Sequence, residues 1–305
     1  MFMDAIMSYW VPGKIIICGE HAVVYGVPAL AMPIAKGMRL ELIEGEIDEF
    51  VLSFDGGGTT FRAREDGAPL EKMLYALQSE FQSAFTRKQV RVFSELPTSS
   101  GLGSSAALGV GLLNIACHQC GVTANEQELF EQAMKLERFF HGNPSGVDHA
   151  SIIAGELIRY EKGRTSLPWM PCTPEAMPGL VVAHGGPHQG TEKAVSALRR
   201  RADSNPKWFQ SCLETIRNIV NQTERALLDG DWVKAGQLLS ENHVVLSDFG
   251  VSTPNLDALC DKAIQAGALG AKLTGAGCGG AMIALCQPED RQKVVRALEE
   301  SATVL

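Results

Sequence analysis

A loop of small residues at positions 97–103 precedes a segment with the apolar spacing of a helix, a combination typical of phosphate-binding sites. Gly101 and Gly103 allow the backbone to approach a ligand closely, and Ser104 or Ser105 can begin the helix. The N–H groups of its first turn then lack intrahelical acceptors and can bind an anion. An ordinary Gly/Ser turn before a helix is the alternative. No lysine follows the glycines as in a Walker A loop, so compensating positive charge must come from elsewhere in the chain or from a metal.

Charged residues near the N-terminus could supply part of that chemistry. Lys14, Glu20 and His21 flank a short β-branched run at positions 15–17, which predicts a buried strand. Lys14 could neutralise charge beside a phosphate, and His21 could hydrogen-bond a carboxylate or a hydroxyl. The structural alternatives are an exposed strand-end lysine and a histidine that only stabilises the fold.

Two carboxylates in the middle of the chain are further candidates. Glu137 lies in the last turn of a helix predicted over residues 125–140, where the helix dipole mildly disfavours a carboxylate. Asp148 follows the turn at residues 143–146, which would hold it rigidly at a cleft. The alternatives are an ordinary surface acid for Glu137 and a helix N-cap for Asp148. A second glycine-rich loop, Gly275 to Gly280, precedes an apolar run; its alternative is a turn that ties a helix to a strand.

Apolar periodicity indicates the elements that must position these residues. Before the Pro-rich segment at 168–178, a candidate linker, it predicts strands near 15–18, 29–34, 38–43, 50–54 and 90–96, and helices near 70–86, 105–117 and 125–140. Beyond that segment, it predicts strands near 180–183 and 281–286, and helices near 191–202, 207–229, 231–247, 254–267 and 288–300. The helix at 105–117 is apolar nearly all round, so it should be buried. Composition and pattern alone therefore favour mixed α and β structure in two domains.

Three segments together resemble the sequence motifs of the GHMP kinase family, and they occur in the same order and at about the same spacing as in that family. They are residues 12–26, 96–107 and 272–281. Within that family, residues 19–26 and 141–148 are most similar to the mevalonate kinases. The resemblance implies an α+β, two-domain GHMP kinase fold: a ribosomal-protein-S5-like N-terminal domain at 1–168 with the ATP phosphate loop, and a ferredoxin-like C-terminal domain at 179–305.

The resemblance also implies roles for individual residues. Asp148 would be the catalytic base or a group that positions the hydroxyl, and Lys14 would lower the pKa of that hydroxyl. Ser105 and Glu137 would bind Mg²⁺. ATP would be held by Ser99, Ser100, Gly101, Leu102, Gly103, Ser104, Ser105 and Ala106. The substrate would contact Lys14, Glu20, His21, Asp148, Thr191, Gly275, Ala276 and Gly277.

The activity implied is ATP-dependent phosphorylation of the primary hydroxyl of mevalonate, giving 5-phosphomevalonate for isoprenoid synthesis. Alternatives are a kinase of the same family for another small alcohol such as phosphomevalonate, a related decarboxylase, and a noncatalytic nucleotide or metabolite sensor.

One departure from the family's sequence pattern bears on substrate choice. Residues 184–193 lack the acidic or hydroxyl-bearing turn that many mevalonate kinases carry before their Ser-Thr-Lys type segment, although Thr191 could still contact substrate.

Bulk properties suit an enzyme acting on a small molecule. The chain has 305 residues, of which 45% are hydrophobic, so it can form substantial cores. Its net charge of -8 argues against nucleic-acid binding, and it has no apolar stretch long enough to span a membrane. The start of the chain lacks the basic region of a secretory signal, and the eight cysteines suggest reduced thiols, so we expect a cytoplasmic location. A homodimer is expected from the family.

Overall fold

The computed structural model describes residues 5–45, 50–54, 58–140, 144–164, 166–187 and 191–305, without the side chains of residues 191 and 192. Helices and strands are interspersed along these residues, which confirms the α+β class. The chain divides into two compact units, each built from separate stretches. Unit 1 comprises Met1–Gly13, Pro33–Leu96 and Gly103–Gly155, and unit 2 comprises Lys14–Met32, Pro97–Leu102 and Glu156–Leu305.

Two long strands, β1 (Met7–Cys18) and β2 (Ala29–Glu44), contribute to both units. The remaining elements of unit 1 are β3 (Val51–Phe54), β4 (Thr59–Arg62), α1 (Pro69–Glu80), α2 (Gln82–Phe85), β5 (Lys88–Ser94), α3 (Ser104–Gln119), α4 (Glu126–Glu137) and α5 (Val147–Ala154). The sheet order is β4-β3-β5-β2, and β1 pairs with β2. Strands β3 and β5 are parallel, whereas β2 and β5 are antiparallel.

Helix α3 is buried along most of its length, as its apolar sequence predicts. It packs closely on the sheet at Gly111, where an added Cβ would lie 2.8 Å from Leu40 of β2. Helix α4 begins where the sequence indicates, because Asn125 caps it and Glu128 completes a capping box. These two helices fix the positions of Ser105 and Glu137.

Unit 2 contains an antiparallel sheet with helices packed against it. Its elements are β6 (Ile158–Tyr160), β7 (Trp169–Pro171), β8 (Gly179–His184), α6 (Thr191–Ser204), α7 (Pro206–Leu228), α8 (Trp232–Asp248), α9 (Pro254–Gln265), β9 (Gly270–Leu273), β10 (Ala281–Cys286), α10 (Arg291–Glu299) and β11 (Thr303–Val304). The sheet order is β11-β8-β10-β9. Separately, β6 pairs with the first residues of β2 and with β7.

Helices α8 and α9 pack on β9, so this strand is fully buried. The approach of α8 requires glycine, because an added Cβ on Gly270 would lie 1.7 Å from the carbonyl oxygen of Gly236. The sequence analysis did not predict β4, α5, β6, β7, β9 or β11, which are all short. Among the described residues, no helix is both long and apolar enough to cross a membrane.

Candidate active site

The small-residue loop adopts the backbone that its glycines suggest. Gly101 has a φ of 76° and Gly103 a φ of 80°, and Gly103 is the N-cap of α3, which begins at Ser104 as predicted. Within unit 2, the carbonyl oxygen of Ser100 accepts a hydrogen bond from the Ala281 amide at 3.2 Å. The Ser100 carbonyl is therefore held by neighbouring structure. The first-turn amides of α3 lack intrahelical acceptors, as in any helix, and can bind an anion.

Lys14 is buried in the middle of β1, at 2% exposure, so the exposed strand-end interpretation is wrong. Its main-chain amide donates to the carbonyl of Leu102, and its Nζ donates to the carbonyl of Gly101, both at 2.9 Å. A buried lysine held by loop carbonyls places a positive charge beside the small-residue loop at 97–103. This supplies the cation that the loop itself lacks.

His21 lies in the turn after β1 with a φ of 57°, which non-glycine residues rarely adopt. Its Nε2 lies 3.1 Å from the carbonyl oxygen of Ala276. A carbonyl oxygen can only accept, so Nε2 carries the proton and Nδ1 is left as an acceptor. Burial lowers the pKa of His21 to about 4, partly opposed by the hydrogen bond to Ala276. The imidazole is therefore neutral at neutral pH and suited to accept a hydrogen bond from a hydroxyl.

The second glycine-rich loop connects β9 to β10, so the alternative of a helix-to-strand turn is wrong. Gly275 has a φ of +78°, and an added Cβ there would lie 2.8 Å from the carbonyl oxygen of Gly101. Gly277 is equally constrained, because its Cβ would lie 2.1 Å from the carbonyl of Val251. Gly275 thus allows this loop to lie directly against the small-residue loop at 97–103.

An ion pair inside unit 2 was missed by the sequence analysis. Lys272 on β9 is 0% exposed, and its Nζ contacts Oε1 of Glu20, which is 1% exposed. Burial raises the pKa of Glu20, and the charge of Lys272 opposes that rise. A lysine inside an otherwise apolar strand is the signal that sequence reasoning could have used.

In unit 1, the structure brings together Ser105, Glu137 and His149. The Ser105 hydroxyl donates to Oε1 of Glu137 at 3.1 Å, and Nε2 of His149 lies 3.4 Å from Oε2. Glu137 is 7% exposed, so it is not an ordinary surface acid. Asp148 is the second residue of α5, whose N-cap is Gly146, so the N-cap interpretation of Asp148 is wrong. His149 was not singled out from the sequence, although it directly follows Asp148.

The Ser105 and Glu137 oxygens fit a magnesium ion. Mg²⁺ prefers octahedral oxygen ligands at about 2.1 Å, so adjacent ligands lie about 3 Å apart. The 3.1 Å between Ser105 Oγ and Glu137 Oε1 matches that spacing. No group of three or more His, Cys, Asp or Glu side chains among the described residues could hold a metal. Two protein oxygens would suit an ion that takes its other ligands from phosphate and water.

Two parts of the predicted site lie outside the described structure. Residues 141–143, the first three of the motif at 141–148, are among the residues not described, and Thr191 begins α6 without a described side chain. The remaining candidates form two groups. Unit 2 brings Lys14, Glu20 and His21 to Gly101 and the 275–277 loop, whereas Ser105, Glu137 and Asp148 belong to unit 1.

Comparisons with known proteins match the chain over most of its length. Residues 69–156 match the family described as GHMP kinases N terminal domain, and residues 223–303 match GHMP kinases C terminal. A mevalonate kinase of Thermococcus onnurineus is 32% identical over 311 residues, covering 94% of this chain and 91% of that relative.

Solved structures share the fold. The L. major mevalonate kinase in complex with R-mevalonate has a TM-score of 0.82 and 25% identity, covering 100% of this chain and 97% of that one. A Streptococcus pneumoniae phosphomevalonate kinase, at 17% identity, shares the fold alone, with a TM-score of 0.81 and coverage of 98% of each chain. The expected two-domain GHMP kinase fold is confirmed, and the chain belongs to the GHMP kinase family.

Proposed function

We propose that this chain transfers the γ-phosphoryl group of ATP to the primary hydroxyl of mevalonate, giving 5-phosphomevalonate. The observation that carries the proposal is the similarity to the mevalonate kinase of Thermococcus onnurineus along nearly the whole of both chains. The buried Lys14 and the neutral His21 provide what a small hydroxy acid and a phosphate would need: one fixed cation and one hydroxyl acceptor.

ATP would be held mainly by main-chain amides. The residues proposed are Ser99, Ser100, Gly101, Leu102, Gly103, Ser104, Ser105 and Ala106. The first-turn amides of α3 are oriented for an anion, and the helix dipole adds to the attraction. Ser105 and Glu137 would hold Mg²⁺. When bound, this ion would neutralise negative charge on the transferred phosphoryl group.

The chemistry itself needs a hydroxyl that is aligned and polarised. We assign Asp148 the role of accepting or orienting the hydroxyl proton, because α5 holds it in a defined position near a helix start. Lys14 would lower the pKa of the hydroxyl through its positive charge. Phosphoryl transfer depends mostly on positioning and charge stabilisation, and Asp148, Lys14 and the metal ion would supply both.

Substrate selection would rest on the segments around these groups. The proposed contacts are Lys14, Glu20, His21, Asp148, Thr191, Gly275, Ala276 and Gly277. His21 Nδ1 could accept a hydrogen bond from a mevalonate hydroxyl, because Nε2 already donates to Ala276.

The finer assignments are also proposals. We place the domains at 1–168 and 179–305; the matched regions 69–156 and 223–303 each fall inside one of them. We further propose a cytoplasmic enzyme with a small-molecule partner and no nucleic-acid partner, in line with its net charge of -8. A homodimer is proposed from the family resemblance.

The test is ADP release from the purified chain with ATP and Mg²⁺, run in parallel with mevalonate, phosphomevalonate, homoserine and galactose. Turnover with mevalonate in preference to the other three supports the proposal. Preferred turnover of another alcohol would refute the substrate and keep the reaction class. Nucleotide binding without turnover of any of the four would refute this proposal and favour the sensor alternative.

A further inference from the structure

The turn that carries His21 depends on a buried ion pair. Lys272 and Glu20 lie 252 positions apart in the sequence, and both are almost completely removed from solvent. Lys272 also donates to the carbonyl of Leu273 at 2.5 Å. Burying two charges is costly unless they are paired, so neither side chain would remain in place without the other. Burial raises the pKa of Glu20, which reflects the same cost.

A second buried contact lies two residues further along the chain. The Thr274 hydroxyl accepts a hydrogen bond from the amide of Ile16 and donates to the carbonyl of Ile16, each at 2.9 Å. Thr274 is also fully buried. Side chains two residues apart in extended chain lie on the same face. Lys272 and Thr274 therefore hold the two ends of the segment Ile16 to Glu20.

That segment fixes the residues on either side of it. Lys14 precedes Ile16 by two residues, and His21 follows Glu20 directly. His21 has the left-handed φ of 57°, a conformation that persists in a residue with a side chain where the surroundings enforce it. The hydrogen bond to Ala276 holds the ring, and the ion pair holds the backbone next to it.

We propose that Lys272 and Glu20 are positioning residues, which keep His21 in its strained conformation so that its Nδ1 meets the acceptor alcohol. This deepens the proposed function and rests on it. Glu20 then acts on the substrate through His21, in place of the direct contact proposed above, and its Oε1 is held by Lys272. Lys272, to which the sequence analysis gave no role, becomes part of alcohol recognition.

The test uses Lys272→Met, Glu20→Gln and the double variant, with Lys262→Met as control. Lys262 on α9 pairs with Glu300 at the surface, so its loss should leave KM and kcat unchanged. Lys272→Met strands a buried carboxylate and should lower the melting temperature. The double variant removes both charges and should recover most of that loss.

The decisive quantity is KM for the alcohol in the double variant. We expect it to rise about tenfold, while the dissociation constant of a fluorescent ADP analogue stays within about twofold of the parent value. A double variant that regains both the melting temperature and the parent KM would overturn the proposal, because the pair would then serve stability alone. If Lys272→Met does not fold, Glu20→Gln and the double variant still decide the question.

A measurement without substrate separates this proposal from the proposed function. Hydrogen–deuterium exchange should become faster in peptides from residues 16–26 of the double variant, while peptides from α1 in unit 1 exchange as in the parent. Unchanged exchange at 16–26 would contradict the positioning role. Failure of the parent to turn over mevalonate would refute the proposed function, and the exchange result would stand by itself.

Discussion

Replacing His21 should remove a specific part of the pH dependence of stability. The pKa of His21 is lowered from 6.5 to about 4, chiefly by burial, so the folded chain prefers the neutral imidazole. Between these two values the unfolded chain binds a proton that the folded chain does not, so stability falls as pH falls. A shift of about 2.5 units corresponds to about 3 kcal/mol at full development. Because His21 is half-buried and partly screened by solvent, we expect about 2 kcal/mol to be lost between about pH 7.5 and pH 4.5.

The suitable variant is His21→Asn, because asparagine adopts a positive φ more readily than most residues with a side chain. Urea unfolding of parent and variant at both pH values gives the difference in their free energies of unfolding, and other titrating groups cancel in the comparison. The parent should lose about 2 kcal/mol more than the variant on acidification. Equal losses, or an NMR titration of the His21 ring near its ordinary pKa, would refute the reasoning.

Four further substitutions and one control test other parts of the protein. Asp148→Asn should lower kcat by about 10²–10⁴-fold with an unchanged dissociation constant for ADP, and a kcat close to the parent's would exclude Asp148 as the proton acceptor. Glu137→Gln should raise the Mg²⁺ concentration needed for half-maximal nucleotide binding about tenfold or more. His149→Asn should raise it less, because the His149 ring acts only through the Glu137 carboxylate, 3.4 Å away. Unchanged Mg²⁺ titration curves would contradict both roles. Gly275→Ala should cost about 2–4 kcal/mol of stability, since it adds a close contact with Gly101 to an unfavourable φ. In the control, Gly163→Ala, the φ is +91° but the added Cβ has open space, so the cost should be about 1–2 kcal/mol. Equal losses would show that the contact with Gly101 is unimportant.

Local sequence patterns predicted helices that carry site residues, but not the contacts between residues far apart in the sequence. Helices α3 and α4 were predicted close to their observed starts, because apolar spacing, glycines and the Asn125 cap are all local signals. The contact between Lys272 and Glu20 joins positions 252 residues apart, and no periodicity reports such a pairing. His149 was missed for a related reason, since its contact with Glu137 depends on how α5 packs against α4. The short strand β9 was not predicted, because the glycine-rich loop that follows it interrupts the apolar pattern.

The hydrogen bonds between Thr274 and Ile16 have a consequence for biosynthesis. The two residues are 258 positions apart, so Ile16 leaves the ribosome long before its partner has been made. At about 5–20 residues per second, the wait is on the order of 13–50 s. During that time the apolar run at 15–17 has no access to β9, and it presents a β-branched segment to other nascent chains. We therefore expect truncated chains that end before residue 270 to require chaperones, because the contacts that residues 270–305 make with the first strand are then missing.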